Sequence, residues 1–475
     1  MKRSLFALFV LATIIISACS KNNNPAPNPG GNTESDTLKG AISANRTLKA
    51  GKIYYINGPA VVKNGVTLTI EPGVVIKGIK SGTVKAVLIV ARGGKIMAEG
   101  TASKPIVFTS NQAAGTRAAA DWGGVVILGK AKVNSTFGGT PGRKQVEGFL
   151  TSEIQDLGDD IVGGGDDDND NSGVFKYVRI EFAGMALSAT PNTELNSLTM
   201  IAVGKQTKIE YVQCSFGGDD AFEWFGGTVN AKNLISFRTL DDDFDTDNGF
   251  TGRVQFGVAI RDKDVSDFAL PGTSNSFESD NDAAGSDNVP FTAPVFSNMT
   301  IVGPWAINGG TGIPSNNVFG RGAHIRLNSR QSLYNSVVVG FPTGIYIDGD
   351  KSADATAAEL DIRNTFVGVA SKKKLDSKLT ASTLNINTWF MNNRGNDTTY
   401  NNVDDFKFAK IKDLTSLAGI DVRPVAGSPL LGKAAFTAGK STDAYFTKVT
   451  YVGALDVNDA WMNGWTNFDP KNASY

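Results

Sequence analysis

The sequence predicts an all-β chain wound into a right-handed parallel β-helix solenoid with N- and C-terminal caps. Three observations carry this. The apolar runs are brief and β-branched. Glycine is abundant at 53 residues while charged residues make up 20%, and the long Glu/Lys/Ala/Leu runs of helices are absent, a balance that favours short strands joined by tight turns. Short motifs also recur in register along the chain, as the coils of a solenoid do.

The strands are predicted at 60–62, 66–70, 74–76, 87–90, 95–98 and 106–108, each bounded by Gly, Pro or Asn. Corners of this kind end one short strand and start another at an angle, whereas a hairpin protein needs two-residue turns between antiparallel runs. "KYVRIEFAG" at 176–184 and "EYVQCSFGG" at 210–218 match as Tyr177/Tyr211, Val178/Val212, Phe182/Phe216 and Gly184/Gly218, an offset of 211 − 177 = 34. "NMTIVG" at 298–303 and "NSVVVG" at 335–340 match at 335 − 298 = 37, with "NTFVG" at 364–368 a shorter relative. Asn at a repeated corner predicts a ladder of side-chain hydrogen bonds between strands stacked about 4.8 Å apart. Alternation places Val212, Cys214 and Phe216 inward, with Cys214 a small buried hydrophobe. The next coil offers either Leu234-Ser236-Arg238 or Ile235-Phe237 for that face, and the second is the more apolar. A one-residue slip there changes which side chains stack.

The N-terminus sets the compartment. Met1-Lys2-Arg3 is basic, and an apolar run of about a dozen residues follows, shorter than the roughly 20 of a membrane span. Ile16-Ser17-Ala18-Cys19 then resembles the lipobox of bacterial lipoproteins. The resemblance implies a signal peptide over 1–18, lipidation of Cys19, and anchoring in the outer membrane through several acyl chains. Which side of that membrane the protein faces stays open, because Lys21 and three Asn follow the cysteine in place of acids. Residues 19–37 are rich in Asn, Pro, Gly and Ser and read as a tether. The β-helix body is expected over 38–422, with 38–58 covering its first coil. Residues 423–475 are expected to form a C-terminal capping segment in which Trp461 and Trp465 close the core, since open solenoid ends template aggregation.

Composition narrows the function. A formal net charge of −1 offers no footprint for nucleic acid. Cys19 is taken by lipid and Cys214 is left unpaired, so disulfides contribute nothing. A single histidine, His324, argues against Ser/His/Asp and Cys/His nucleophilic systems.

Chemistry concentrates in three acidic segments, 158–173, 217–227 and 240–249. The first, "GDDIVGGGDDDNDNSG", reads as a Gly/Asp loop. Aligning Phe222 of "GGDDAFEWFGG" with Phe244 of "LDDDFDTDNG" gives an offset of 22, and pairs Asp219 with Asp241, Asp220 with Asp242, and Glu223 with Asp245. One coil is about that long, so these acids should share one corner of adjacent coils. Like charges stacked there repel by about 1 kcal/mol per pair even in water. A hard cation resolves this, since Ca²⁺ accepts six to eight oxygens. The expected ligands are Asp219, Asp220, Glu223, Asp241, Asp242, Asp243, Asp245 and Asp247. Raised carboxyl pKa values, as in an acid catalyst, are a second resolution, and plain turn chemistry is a third. Trp224 and Phe225 are candidates for stacking on a sugar.

"LTIEPGVVIKG", "DWGGVVILG", "FGGDDAFEWFGGTVNAKNL", "DDDFDTDNGFTG" and "GWTNFDP" together resemble pectin-lyase-like β-helix lipoproteins of Bacteroidota-type bacteria, over about residues 40–470. The resemblance implies fold and envelope location and no reaction. The expected function is a binding or scaffold protein for extended glycans or a surface partner. The alternatives are a polysaccharide lyase or glycoside hydrolase, and an accessory lipoprotein of an outer-membrane uptake system. For the enzyme, "GGDD" and "DTDNG" are similar to pieces of a polygalacturonase site but stand in reversed order, and His324 lacks the Gly-His-Gly setting. A lyase would need a basic residue beside its cation, for which Arg238, Arg253, Arg261 and Arg326 are candidates.

Cys19→Ala should abolish acyl labelling and move the protein from the membrane fraction to the soluble one; retention of both label and membrane association would contradict the lipobox reading.

Overall fold

A computed structural model describes residues 35–81, 85–149, 156–186, 194–267, 273–307, 310–316, 318–410 and 420–475. The signal segment, Cys19 and most of the tether lie outside the described residues. Asp36–Tyr475 forms one compact unit, a right-handed parallel β-helix whose main sheet comprises 25 strands.

Three ladders of parallel strands run along the solenoid. One stacks Val87–Val90, Gly124–Leu128, Leu198–Ile201, Phe222–Phe225, Phe244–Asp247, Phe277–Ser279, Arg321–Arg326, Thr343–Asp348 and Lys373–Lys378. The other two are carried through mid-chain by long strands that bend in the middle: Gly173–Glu181, Lys208–Ser215, Asn230–Phe237, Arg253–Ile260 and Val295–Val302. The bend is a residue with left-handed φ at the same place in each coil, namely Tyr177, Tyr211, Asn233, Phe256, Asn298, Asn335 and Asn364. Asn tolerates that region better than most L-residues. Tyr177 and Tyr211 are held there by ring stacking at 4.4 Å.

The sequence repeats are coil-to-coil partners. Val178 pairs with Val212 and Ile180 with Cys214, and Thr300, Ile301 and Val302 pair with Val337, Val338 and Val339. Inside, Phe222, Phe244 and Phe277 stack with centroids 5.6 and 5.4 Å apart. Cys214 is buried and free.

One open packing choice is decided and one expectation changes. Leu234 and Ser236, not the more apolar Ile235 and Phe237, continue the inward face of Val212 and Cys214. Ile235 and Phe237 point outward, into a second apolar cluster. Phe216, with φ of 55°, is turned out beside them and packs edge-on against Phe237.

The second cluster exists because residues 423–475, expected as an end cap, instead lie along the flank of the coils as a strap. Trp465 is fully buried and meets Tyr177 and Tyr211 edge-on at 5.9 and 6.1 Å. The strap is fastened from Asn335, whose Oδ1 accepts from Ala435 N at 2.9 Å, to Glu181, whose carboxylate accepts from the Tyr475 hydroxyl at 2.7 and 2.8 Å. The corner asparagines mainly serve it: Asn298, Asn335 and Asn364 donate to Tyr451 O, Ala435 O and Lys433 O, where bonds from one Asn to the next were expected. The core is closed at the late end by the short helix Ile386–Met391, which inserts Ile386 and Phe390. At the early end, Thr37–Ile42 and Arg46–Leu48 are already coil strands, paired in parallel with Ile53–Val62 and Thr67–Ile70, so 38–58 is coil, not cap.

Trp465→Ala should cost about 3–5 kcal/mol of stability, the range for truncating a buried aromatic, read as a lowered urea midpoint. A loss under about 1 kcal/mol would mean the strap is not part of the cooperative fold.

Candidate cation-binding site

The 22-residue offset is the true register: Phe222 pairs with Phe244, Glu223 with Asp245, Trp224 with Thr246 and Phe225 with Asp247. Alternation sends the first and third of each strand inward, the second and fourth outward. The ladder therefore presents an outward column of Thr199, Glu223, Asp245, Glu278, His324, Tyr346 and Asp376.

The turn ahead of each strand adds more acid. Asp242 N donates to Asp220 Oδ1 at 2.7 Å, locking the two turns together. Glycine is required in "GGDD": a Cβ on Gly217 would sit 2.6 Å from Thr239 Oγ1 and 2.8 Å from Ser197 Oγ. Two carboxylate triads result, Asp219–Asp220–Asp241 and Asp220–Glu223–Asp245. Within each, the ligand atoms lie within 4.8 Å of one another. Asp220 and Glu223 are buried; Asp219, Asp241 and Asp245 are half-buried. Burial first, then repulsion from neighbouring carboxylates, pushes the carboxyls of all five well above the usual range.

The remaining predicted ligands go elsewhere. Asp243 points into the interior, where its oxygens accept from Ser236 Oγ at 2.5 Å and Arg261 Nε at 3.0 Å. Both partners of the Asp243–Arg261 pair are fully buried, so this is a core ion pair and not a ligand. Asp242 accepts from the backbone and side-chain nitrogens of Asn275; burial and Glu278 push it to about 7 against the pull of Arg261. Asp247 accepts from Asn248 N and is pushed by burial to about 7, with Lys144 opposing. Trp224 faces inward, stacked on Phe222 and Phe250 at 6.0 and 5.3 Å. Phe225 points outward but lies under Lys144, whose Nζ is 4.2 Å from its ring centroid. Neither ring is open to a sugar.

Glu278, Asp280 and Asp348 at this face escaped the sequence reading. Glu278 takes Asn275 Nδ2 at 3.0 Å and faces His324 Nδ1 at 3.2 Å, while His324 Nε2 faces Asp348 at 3.5 Å. Two carboxylates on two ring nitrogens fit an imidazolium, which donates from both. Burial opposes that charge, but these hydrogen bonds prevail and raise the His324 pKa. Arg326 forks onto Asp280 at 2.7 and 2.8 Å and reaches Glu278 at 3.1 Å. The face is thus self-neutralised from Glu278 onward, while among the described residues the carboxylates from Asp219 to Asp245 form no ion pair with a cationic side chain and feel Lys144 only at a distance. Of the other candidate bases, Arg238 pairs with Asp262 and Arg253 with Asp443, away from the acids.

Lys144 arrives on an insertion between the strands Gly124–Leu128 and Gly173–Glu181. Its short strand pairs antiparallel with Val162–Gly163, and Val146, Phe149 and Ile161 pack onto outward Ile89, Val126, Ile201 and Phe225. Lys144 Nζ bonds Glu147 at 2.9 Å. Burial lowers its pKa, but Glu147, Asp247 and Glu223 outweigh that and hold it protonated. Three of the acids of 158–173 are taken up in ion pairs: Asp159 with Arg92, Asp160 with Lys63 and Asp168 with Lys132.

Fold and face together define a parallel β-helix protein with a carboxylate-lined outer face. The family model for the pectate-lyase-like β-helix domain matches residues 40–410, and the chain belongs to that family. No curated protein matches it. Among solved structures, the crystal structure of pectate lyase Pel9A is similar at 14% identity and a TM-score of 0.42, covering 88% of this chain and 98% of that one.

The raised carboxyls fix a pH dependence. A group whose folded pKa exceeds its unfolded value contributes stability below the unfolded pKa, and that contribution is lost as pH rises through the folded one. With Asp at 3.8 unfolded and Asp242 and Asp247 near 7 when folded, the melting temperature in chelator should fall between pH 5 and pH 8. His324, also raised, adds to the fall. Asp242→Asn with Asp247→Asn should make it shallower; a wild-type profile that rises over this window would contradict the electrostatic picture. Separately, Asp243→Ala should destabilise by about 3–5 kcal/mol by stranding Arg261, without changing cation binding.

Proposed function

We propose that this is an envelope-anchored binding protein whose acidic face holds a hard divalent cation of the Ca²⁺ type and through it engages an extended acidic polysaccharide. The observation that carries the reading is the pair of carboxylate triads sharing Asp220. Five crowded carboxyls that form no ion pair among the described residues are what a flexible, oxygen-rich Ca²⁺ site supplies. The flat parallel sheet on either side offers length for a polymer, and the bound cation offers charge complementarity to uronate carboxylates. Anchoring through Cys19, and an outer-membrane protein as neighbour, belong to the same proposal and rest on the lipobox.

The second reading is cleavage of that polysaccharide, favoured by membership of a pectate-lyase-like family. Elimination needs a base free to take a proton. Lys144 is held protonated by Glu147 and Asp247, and Arg326 is committed to Asp280 and Glu278. Binding without turnover is therefore the reading preferred.

Ca²⁺ at a hundredfold excess over Kd should add about 2.7 kcal/mol to stability and raise the melting temperature. Polyuronates should bind only with Ca²⁺ present, measured by affinity electrophoresis or calorimetry. Asp220→Asn with Asp245→Asn should erase both effects. Unsaturated products detected by ultraviolet absorbance would establish cleavage; no binding of any acidic or neutral glycan in Ca²⁺ would overturn the proposal.

A further inference from the structure

Asn196 stands in the turn before the strand Leu198–Ile201, one coil ahead of Glu223. It is 4% exposed. Its Nδ2 donates to Glu223 Oε2 and lies 3.4 Å from Thr199 Oγ1. When Glu223 is ionised, as it is with a cation bound, it can only accept, and the amide turns its nitrogen end toward it. The oxygen end is then left over: Asn196 Oδ1 is buried and has no hydrogen-bond partner among the described residues. Amide oxygen and nitrogen are only about 2.3 Å apart, which keeps Oδ1 within about 5 Å of Glu223 Oε2. One more buried oxygen of the cluster is in the same condition, Asp245 Oδ1.

A buried acceptor without a donor is rare in native proteins and calls for an explanation. At this place a hydrogen-bond donor would satisfy one oxygen, whereas a cation satisfies several at once. We propose that Asn196 Oδ1 is a neutral ligand of the cation held by Asp220, Glu223 and Asp245, and that it biases the site toward Ca²⁺ over Mg²⁺. The proposal rests on the cation reading above and deepens it. A neutral oxygen raises the coordination number without adding another like charge to a cluster already crowded with carboxylates. Ca²⁺ takes such mixed shells at 2.3–2.6 Å with irregular geometry, whereas Mg²⁺ demands near-octahedral ligands at about 2.0–2.1 Å and keeps its waters.

The test is calorimetric titration of the purified full chain with CaCl₂ and with MgCl₂, for wild type, Asn196→Leu and Asn196→Asp, with circular dichroism and melting in chelator confirming that each is folded. Wild type should bind Ca²⁺ more tightly than Mg²⁺. Asn196→Leu should weaken Ca²⁺ by about tenfold or more and narrow the gap to Mg²⁺. Asn196→Asp keeps an oxygen but loses the donor to Glu223, and should bind Ca²⁺ at least as well as wild type. Equal weakening in both variants would mean that Asn196 only holds Glu223 in place, and would overturn the inference. Wild-type affinity in Asn196→Leu would overturn it too, leaving the cation site standing. A wild type that binds neither ion would remove the cation reading itself.

Discussion

Everything in this molecule follows from stacking like on like. A parallel ladder without slippage sets each residue about 4.8 Å above its equivalent in the next coil. Toward the interior this is favourable, and Phe222, Phe244 and Phe277 form a continuous aromatic stack. The adjacent position in the same strands points outward and obeys the same register, so Glu223, Asp245 and Glu278 must stack as well. The aromatic core and the acid column are two sides of one constraint.

The chain meets the resulting repulsion in two ways. From Glu278 onward it brings its own cations, His324 and Arg326, on the next coil of the same ladder. Between Asp219 and Asp245 the described residues supply no ion-pairing cation, and buried oxygens of Asn196 and Asp245 have no partner among them. Lys144 stands at the edge, tied to Glu147. The face is therefore divided into a finished electrostatic network and an open one, and the open one is where an added ion has something to do.

Legibility in the sequence followed the insertions. The offset from Phe222 to Phe244 spans one uninterrupted coil, so the stacking of Glu223 on Asp245 could be read directly. Glu278 and His324 sit in the same column, but the steps to them are 277 − 244 = 33 and 323 − 277 = 46 residues, and the loops hide the equivalence. Asp243 looked like its neighbours because the corner geometry that turns it toward Arg261 leaves no mark in composition. The choice between Leu234-Ser236 and Ile235-Phe237 for the inward face stays open in the sequence, because apolarity normally marks the core and points to the wrong pair. Here both faces of the strand are buried, the outer one by a strap some 200 residues further along the chain. The same strap explains why Trp461 and Trp465 resembled an end closure: they do close a core, but along its flank.

The most direct measurement is anomalous diffraction from crystals grown in Ca²⁺ or soaked in a lanthanide of similar radius. The account predicts an ion within about 2.3–2.6 Å of carboxylate oxygens from Asp220, Glu223 and Asp245. An empty cluster under those conditions, with the carboxyls joined by shared protons, would contradict it.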